Sequence, residues 1–462
     1  MAGGLIQLVA IGEQDLFLIS DPQISFFKLV YKRHTNFSIE TIENNFYICE
    51  GFGKQARANI ERIGDLISNI TLYAKLGSLN PEFNKQFRDN QSIQHKPPKQ
   101  KIGKNGNIVY TSCYCSKCIY DEERDKQIYG YVNSLGHALI KSVWIEIGGQ
   151  RIDKQYGEWL EIWSELSLPE GKKNGYYQMI GKVDPSAFKS TTFASDMELY
   201  IPLNFWFCRN IGLALPILTL YYHDVELIID FRKFEELWVT SKSNVSSPSK
   251  PYFKAYLLID YVYLDATERR LFYQESQIYL IEQLQFTGDC PAVGSQVNVD
   301  FMFNHPVKEL IWVLQRNDVT GPPLGNYPNS NYPIGNDWFN YTTFADRVNC
   351  SYINDTFELG VIQFNGTDRF KSRQASYFRL LQPYYYHTRV PTDNLIYVYS
   401  FALKPELVIP TGTMNFSRVI NSRLSLKMFQ NRFYNDYIIK VFATNFNILV
   451  ITNGLGGLLF VN

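Results

Sequence analysis

The sequence predicts an all-β protein built as two successive sandwiches or barrels. Three observations carry this. Aromatic residues make up 15% of the 462 residues, with 32 Tyr and 32 Phe, and these side chains favour the pleated, half-buried surface of a sheet. Short runs of β-branched and aromatic residues recur between Gly, Pro and Asn, while stretches with the helical 3.6-residue period are scarce. At mid-chain a strand pattern, one or two helical turns and a new strand pattern follow directly, which suits a joint between two halves. Roughly 230 residues per half is a common size for one large sandwich.

The elements follow in order. The opening run GGLIQLVAIG is interrupted by Glu13 and Asp15, and the first Lys is Lys28, so it lacks the pattern of a secretory leader. Residues 77–126 are rich in Lys, Gln, Asn and Pro and read as a long surface loop. In SVWIEIGGQRID (residues 142–153) Val143, Ile145 and Ile147 alternate with Trp144 and Glu146, and Gly148-Gly149 supplies the two positive-φ positions of a tight hairpin turn. SKSNVSSPSK (241–250) is a flexible loop. Residues 256–264 read as a strand. Asp265 then caps a short helix, with Glu268 completing the capping-box spacing, and IYLIEQLQF (278–286) is the next strand. GPPLGNYPNSNYPIGNDWFNYT (321–342) is a second long loop, expected to project into solvent. In VIQFNGTDRF (361–370) Asn365-Gly366 turns the chain as the earlier Gly pair does. The uncharged tail NFNILVITNGLGGLLFVN (445–462) is broken by Asn and Gly and reads as a strand followed by a terminal arm, not a membrane span.

Composition removes several function classes. Lys plus Arg number 45 and so do Asp plus Glu, so the chain lacks the basic excess that phosphate neutralisation or an anionic membrane surface calls for. Direct nucleic-acid binding is not expected. Near-neutrality suits a protein that packs against copies of itself, because like-charge repulsion stays small. Seven Cys, an odd number without a spaced framework, point to a reducing compartment. GFGK (51–54) lacks the spacing of a phosphate loop, GLGG (454–457) has no helix after it, and no nucleophile elbow or zinc-protease helix is present. The histidines at 34, 137, 223, 305 and 387 stand singly and read as hydrogen-bonded structural residues. No catalytic residue and no cofactor are expected.

One concentrated ligand set exists. CYCSKC places Cys113, Cys115 and Cys118 inside the first long loop, and a structural zinc requires a fourth ligand, for which His95 or Cys49 is available. The pattern lacks a second matching pair, so a reduced loop without metal is the expectation.

Several segments together resemble the major capsid proteins of large nucleocytoplasmic DNA viruses. They are the opening GGLIQLVAIGEQDLFLISDPQISFFKLVYKRHTNFSIE (3–40), IEIGGQRIDKQYGEW (145–159), FCRNIGLALPILTLYYHDVEL (207–227), LIEQLQFTG (280–288), FNHPVKELIWVLQ (303–315), FNGTDRF (364–370), YSFALKPE (399–406), TGTMNFSR (411–418) and NFNILVITNGLGGL (445–458). The blocks appear in family order and reach almost both ends. The resemblance implies two tandem eight-stranded antiparallel jelly rolls with long inserted loops and few short helices. It divides the chain into an N-terminal arm (1–25), a first jelly roll (26–265), a linker helix (266–277) and a second jelly roll with a C-terminal arm (278–462). It implies homotrimeric capsomers of pseudo-hexagonal outline that tile an icosahedral shell in the virion, assembled in the host cytoplasm. Partners would be neighbouring capsomers, minor capsid and penton proteins, and inner viral membrane proteins. Two alternatives remain at this level: a minor double jelly-roll capsid protein of the same lineage, and a carbohydrate-binding or carbohydrate-active sandwich protein.

Overall fold

In the computed structural model, residues 34–48, 51–79, 100–102, 108–110, 128–348, 354–429 and 436–461 are described. Eight strands form the first sandwich: β1 (Phe37–Asn44), β2 (Gln55–Asn59), β3 (Leu66–Leu76), β4 (Ile140–Ile147), β5 (Gln150–Tyr156), β6 (Met197–Pro202), β7 (Val225–Phe231) and β8 (Phe253–Leu264). They pair antiparallel in two four-stranded sheets, β1-β8-β3-β6 and β2-β7-β4-β5. The second sandwich uses β9 (Gln277–Ala292), β10 (Gln296–Phe301), β11 (Pro306–Arg316), β12 (Phe357–Phe364), β13 (Thr367–Asp368), β14 (Ile396–Ser400), β15 (Ser422–Met428) and β16 (Tyr437–Thr452), with β17 (Leu455–Leu458) added at the end. Its main sheets run β9-β16-β11-β14 and β10-β15-β12-β13. Counted within each unit, both sandwiches follow the order 1-8-3-6 against 2-7-4-5, the jelly-roll topology.

Alternation explains which face each strand buries. On β3, Ile70, Leu72, Ala74 and Leu76 are sealed while Asn69, Thr71 and Lys75 face outward. On the neighbouring β8, Ala255, Leu257, Ile259 and Tyr261 line the same inner face beside them. The second core is built by Leu310, Trp312 and Leu314 of β11 with Ile439, Val441 and Ala443 of β16 and Leu424 and Leu426 of β15.

The predicted local signals take the expected forms. Gly148 and Gly149 have φ of 57° and 79°, and Asn365 and Gly366 of 50° and 79°, closing the β4–β5 and β12–β13 hairpins. Asp265 accepts from the backbone N–H groups of Thr267 and Glu268 at 3.0 and 2.8 Å and starts α3 (Ala266–Gln274). Ahead of it come α1 (Gly157–Ser167) and α2 (Glu170–Ile180), between β5 and β6; a π-helical turn Tyr377–Leu381 runs into α4 (Gln382–Tyr386).

The connections after β3, β5 and β7, and after β11, β13 and β15, leave the sheets at one end; those after β2, β4 and β6, and after β10, β12 and β14, leave at the other, the end of the β4–β5 and β12–β13 hairpin turns. At the turn end, Gly148 N–H bonds Asp224 O at 2.9 Å, and Tyr222 N–H of the first unit bonds Gly454 O of the second at 3.1 Å. The two units therefore stand side by side with the same polarity.

Two expectations need correction. Segment 321–342 does not project. Tyr332, Phe339 and Tyr341 are 1%, 5% and 0% exposed, and Asn336 Nδ2 donates to Glu235 O and Trp238 O of the first unit at 2.9 Å each. Gly, Pro and Asn mark irregular backbone, but the aromatic residues among them require cover. Nor is the chain after β16 a free arm. Asn453-Gly454 reverses it, and β17 pairs with β16 so that Leu449 opposes Leu458.

Candidate functional site: the seam between the sandwiches

The second unit's sheet β9-β16-β11-β14 turns its outer face toward the first unit. That face carries Ile311 and Val313, Ile396 and Val398, and Phe442, all at most 1% exposed and merged with the core of the first unit. Helix α1 covers it. Trp159 and Trp163, one turn apart, stack at 5.5 Å, and Trp159 lies 5.6 Å from the Phe442 ring. Edge strands meet as well: Leu284 N–H donates to Asp153 Oδ1 at 2.9 Å. Burial pushes the Asp153 carboxyl up to about 6 against the pull of that N–H and of Gln155.

The opposite face of α1 is charged. Glu161 and Glu165 also lie one turn apart. Gly181 ends α2 at φ 65°, with Lys182 N–H bonded to Tyr177 O at 2.8 Å, a left-handed cap that suits Gly. This cap sets Lys182 between the two carboxylates: its Nζ lies 2.6 Å from Glu161 Oε1 and also bonds Glu165. His137 Nδ1 approaches Glu161 Oε2 at 2.6 Å. Burial would raise the Glu161 carboxyl, but Lys182 and then His137 outweigh it and hold it at about 2. From the second unit, Arg389 Nη2 reaches Glu165 at 3.4 Å and Lys440 Nζ reaches Glu158 at 3.5 Å. Arg232 joins Glu158 at 3.2 Å and stacks over Trp338 of segment 321–342, 4.0 Å from the ring centre. Further along, Glu282 binds both Lys308 and Arg209. His387 sits between Glu309 and Glu406, each at 3.0 Å. Burial alone would lower His387, yet the two carboxylates hold it up at about 9.

This belt ties the two units together through Arg389 to Glu165 and Lys440 to Glu158. Each carboxylate faces a cation, and the seam's large side chains close around it. His137 contacts Glu161 and Tyr176, and His387 contacts Glu406, so both rings are hydrogen-bonded. Cys113, Cys115, Cys118, His95 and Cys49 lie outside the described residues. Among the described residues no group of His, Cys, Asp and Glu is arranged to hold a metal, and burial pushes the Cys208 thiol up to about 12, far from a reactive thiolate.

The comparisons with known proteins bear on what such a double wall is for. A family model described as the major capsid protein N-terminus matches residues 25–265, and one described as the large eukaryotic DNA virus major capsid protein matches residues 268–457. The chain belongs to the major capsid protein family of large eukaryotic DNA viruses. It is 38% identical to the major capsid protein of Pyramimonas orientalis virus and 33% identical to that of Paramecium bursaria Chlorella virus 1, in each case over all of both chains. Among solved structures it is similar to the PBCV-1 virus capsid, at 28% identity and a TM-score of 0.70 over 95% of this chain and 100% of that one. The Faustovirus major capsid protein shares the fold, with a TM-score of 0.68 at 13% identity over 96% of this chain and 94% of that one. In this capsid family member the seam is a structural joint. The residues that make it, Glu158, Glu161, Glu165, Lys182, Arg389 and Lys440, were not singled out by the sequence. The signal for α1 was present: Trp159, Ile162, Trp163 and Leu166 recur at helical spacing, starting at the last residue of the block 145–159 that resembles the family's hairpin.

Proposed function

We propose that this chain forms the wall of an icosahedral virion shell as homotrimeric capsomers, each chain supplying two of six similar segments. One observation carries the trimer: two sandwiches with the same strand order stand side by side with the same polarity. Three such chains close a ring of six walls, and a closed ring leaves no unsatisfied end. The proposed division is an arm (1–25), a first jelly roll (26–265), a linker (266–277) and a second jelly roll (278–462), with the seam holding the two rolls as one block. The chain is a structural protein, and we propose that it turns over no substrate.

The turn end is the proposed inward base. Its tips expose Met302 (94%) and Ile420 (88%), and the chain enters β1 there. That surface suits minor capsid and penton proteins or inner viral membrane proteins, with assembly in the host cytoplasm. Light scattering tests the reading. A stable trimer is expected at nanomolar concentration, because obligate interfaces commonly bury about 2,000–5,000 Å². A monomer of 53.7 kDa under native conditions overturns it. A minor capsid role is separated by abundance, since a major subunit dominates the protein of purified particles.

A further inference from the structure

We infer that the seam within one chain is repeated between chains: the helical segment 377–386 of one copy seats on the outer face of sheet β1-β8-β3-β6 of the next. The inference rests on the trimer reading and adds which surfaces meet.

The argument begins with the joint already on view. In the first unit, the excursion after the fifth strand carries α1, and α1 covers the outer face of the second unit's 1-8-3-6 sheet. Each unit has both parts, an excursion and a sheet. Only one of the two combinations is made within a chain. The second unit's excursion carries the π-helical turn and α4, which present Leu380, Leu381, Tyr384 and Tyr385 at 40%, 42%, 70% and 66% exposure. Leu380, Leu381 and Tyr384 line a groove of about 840 Å³ together with Lys371 and Arg373. The outer face of the first unit's 1-8-3-6 sheet is covered at one end, where Leu66 and Val262 meet Ala214, Leu218 and Phe272, and is open elsewhere. There Tyr256, Tyr73 and Tyr200 stand in register across three strands, with ring centres 4.5 and 5.1 Å apart. Ile39 of the edge strand β1, 50% exposed, lies on the same face farther along the sheet, opposite Val262.

The unused excursion and the unused sheet are the two halves of one joint, and they lie on different sandwiches. A chain cannot satisfy both by itself. A head-to-tail contact with a second copy satisfies one and leaves the other for a third copy, and the ring closes at three. The chemistry agrees. Glu43 and Asp260 lie on the open face, opposite in sign to the Lys371 and Arg373 rim, while Glu198 there is paired with Lys75 at 2.5 Å. Tyr and Arg are also residues enriched where surfaces associate.

Two double variants break the two halves separately: Tyr384→Asp with Tyr385→Asp, and Ile39→Asp with Tyr200→Asp. All four positions are exposed, so the monomer should keep its circular dichroism and melting temperature; if the second pair unfolds, Tyr200→Asp alone replaces it. Each variant should lose trimerisation by about 100-fold or more, since central aromatic contacts dominate such interfaces. Ile420→Asp, at the turn end, should remain trimeric. An equimolar mixture of the two doubles at tens of micromolar (roughly 10–50 µM, a range where one intact junction of this class associates) should give a 1:1 dimer and no larger species, because exactly one wild-type joint can form. Folded double variants that remain trimeric, or a mixture that stays monomeric, overturn the assignment of surfaces. A monomeric wild-type chain would instead overturn the trimer reading itself.

Discussion

The two sandwiches use one strand order to make two different outer sheets. In the second unit the outer face of β9-β16-β11-β14 is aliphatic and sealed, with Ile311, Val313, Ile396 and Val398 all fully buried. In the first, the equivalent face reads Thr41, Asn69, Thr71, Tyr73, Lys75, Glu198, Tyr200 and Asp260, tied by contacts such as Thr41 Oγ1 to Asp260 at 2.6 Å and Lys75 to Glu198 at 2.5 Å. A face covered by its own chain is dry as soon as the chain folds, so aliphatic residues carry no risk there. A face that waits for another copy must stay in water until it arrives, and a row of Tyr, Thr and charged residues tolerates both conditions.

The largest contrast is expected from charge. Lys182→Met leaves Glu161 and Glu165 buried without their shared cation, a loss of about 3–5 kcal/mol. Lys75→Met on the open face removes an exposed ion pair, and the melting temperature should not move, because such pairs contribute little. Urea unfolding of both variants checks this. Equal losses would erase the distinction between the two faces.

Packing gives the next contrast. Trp159→Ala opens a cavity against Phe442 and should cost about 3–5 kcal/mol. Tyr200→Ala, on the exposed edge of the ladder, should cost no more than about 1 kcal/mol in the unassembled chain. A Tyr200 effect as large as that of Trp159 would mean the ladder stabilises the fold itself.

A pH test sharpens the same comparison, since the sealed face carries His387 and the open face carries no histidine. The folded His387 titrates near 9, above the ordinary value of about 6.5. The folded state therefore holds the proton more tightly. The stabilisation is fully present below about pH 6.5 and is lost as pH rises through 9, by at most on the order of 3 kcal/mol. His387→Gln should flatten stability between pH 6.5 and 9. A wild-type profile that is level across that window would contradict the placement of His387 between Glu309 and Glu406.

Much of the fold was legible because it rests on local rules. The glycine pair at 148 and 149, Asn365-Gly366 and the Asp265 cap each specify a backbone conformation within a few residues. The order of family blocks supplied the tandem arrangement. The seam was not legible, because its partners are far apart in sequence: Arg389 meets Glu165 and Lys440 meets Glu158 across 224 and 282 positions. No periodicity encodes such a pairing. Segment 321–342 was misread for a related reason. Turn residues report the path of a backbone, whereas Tyr332, Trp338, Phe339 and Tyr341 report that something covers it, and here the aromatic signal was the stronger one.

The smallest expected effect concerns the same hairpin turn in the two units, after the fourth strand. The first unit uses Gly148-Gly149 and the second Asn365-Gly366. Both first positions have positive φ, which Asn tolerates well, so backbone strain alone does not explain why the first unit has Gly. The surroundings do. A Cβ on Gly148 would lie 2.5 Å from His223 Nδ1, whereas a Cβ on Gly149 meets nothing within 4 Å. His223 Nδ1 in turn lies 2.9 Å from Gly456 O of the closing hairpin, so its ring cannot move without disturbing the contact between the units. In the second unit the Asn365 side chain is itself used, accepting from Ile420 and Asn421 N–H at 3.0 Å each. Gly148→Asn should therefore cost about 1–3 kcal/mol through steric conflict, while Gly149→Asn should cost under about 1 kcal/mol. Removing the ring with His223→Ala should relieve most of the Gly148→Asn penalty in a double-mutant cycle. If the two penalties simply add, the glycine is there for its backbone freedom and not for the ring packed against it.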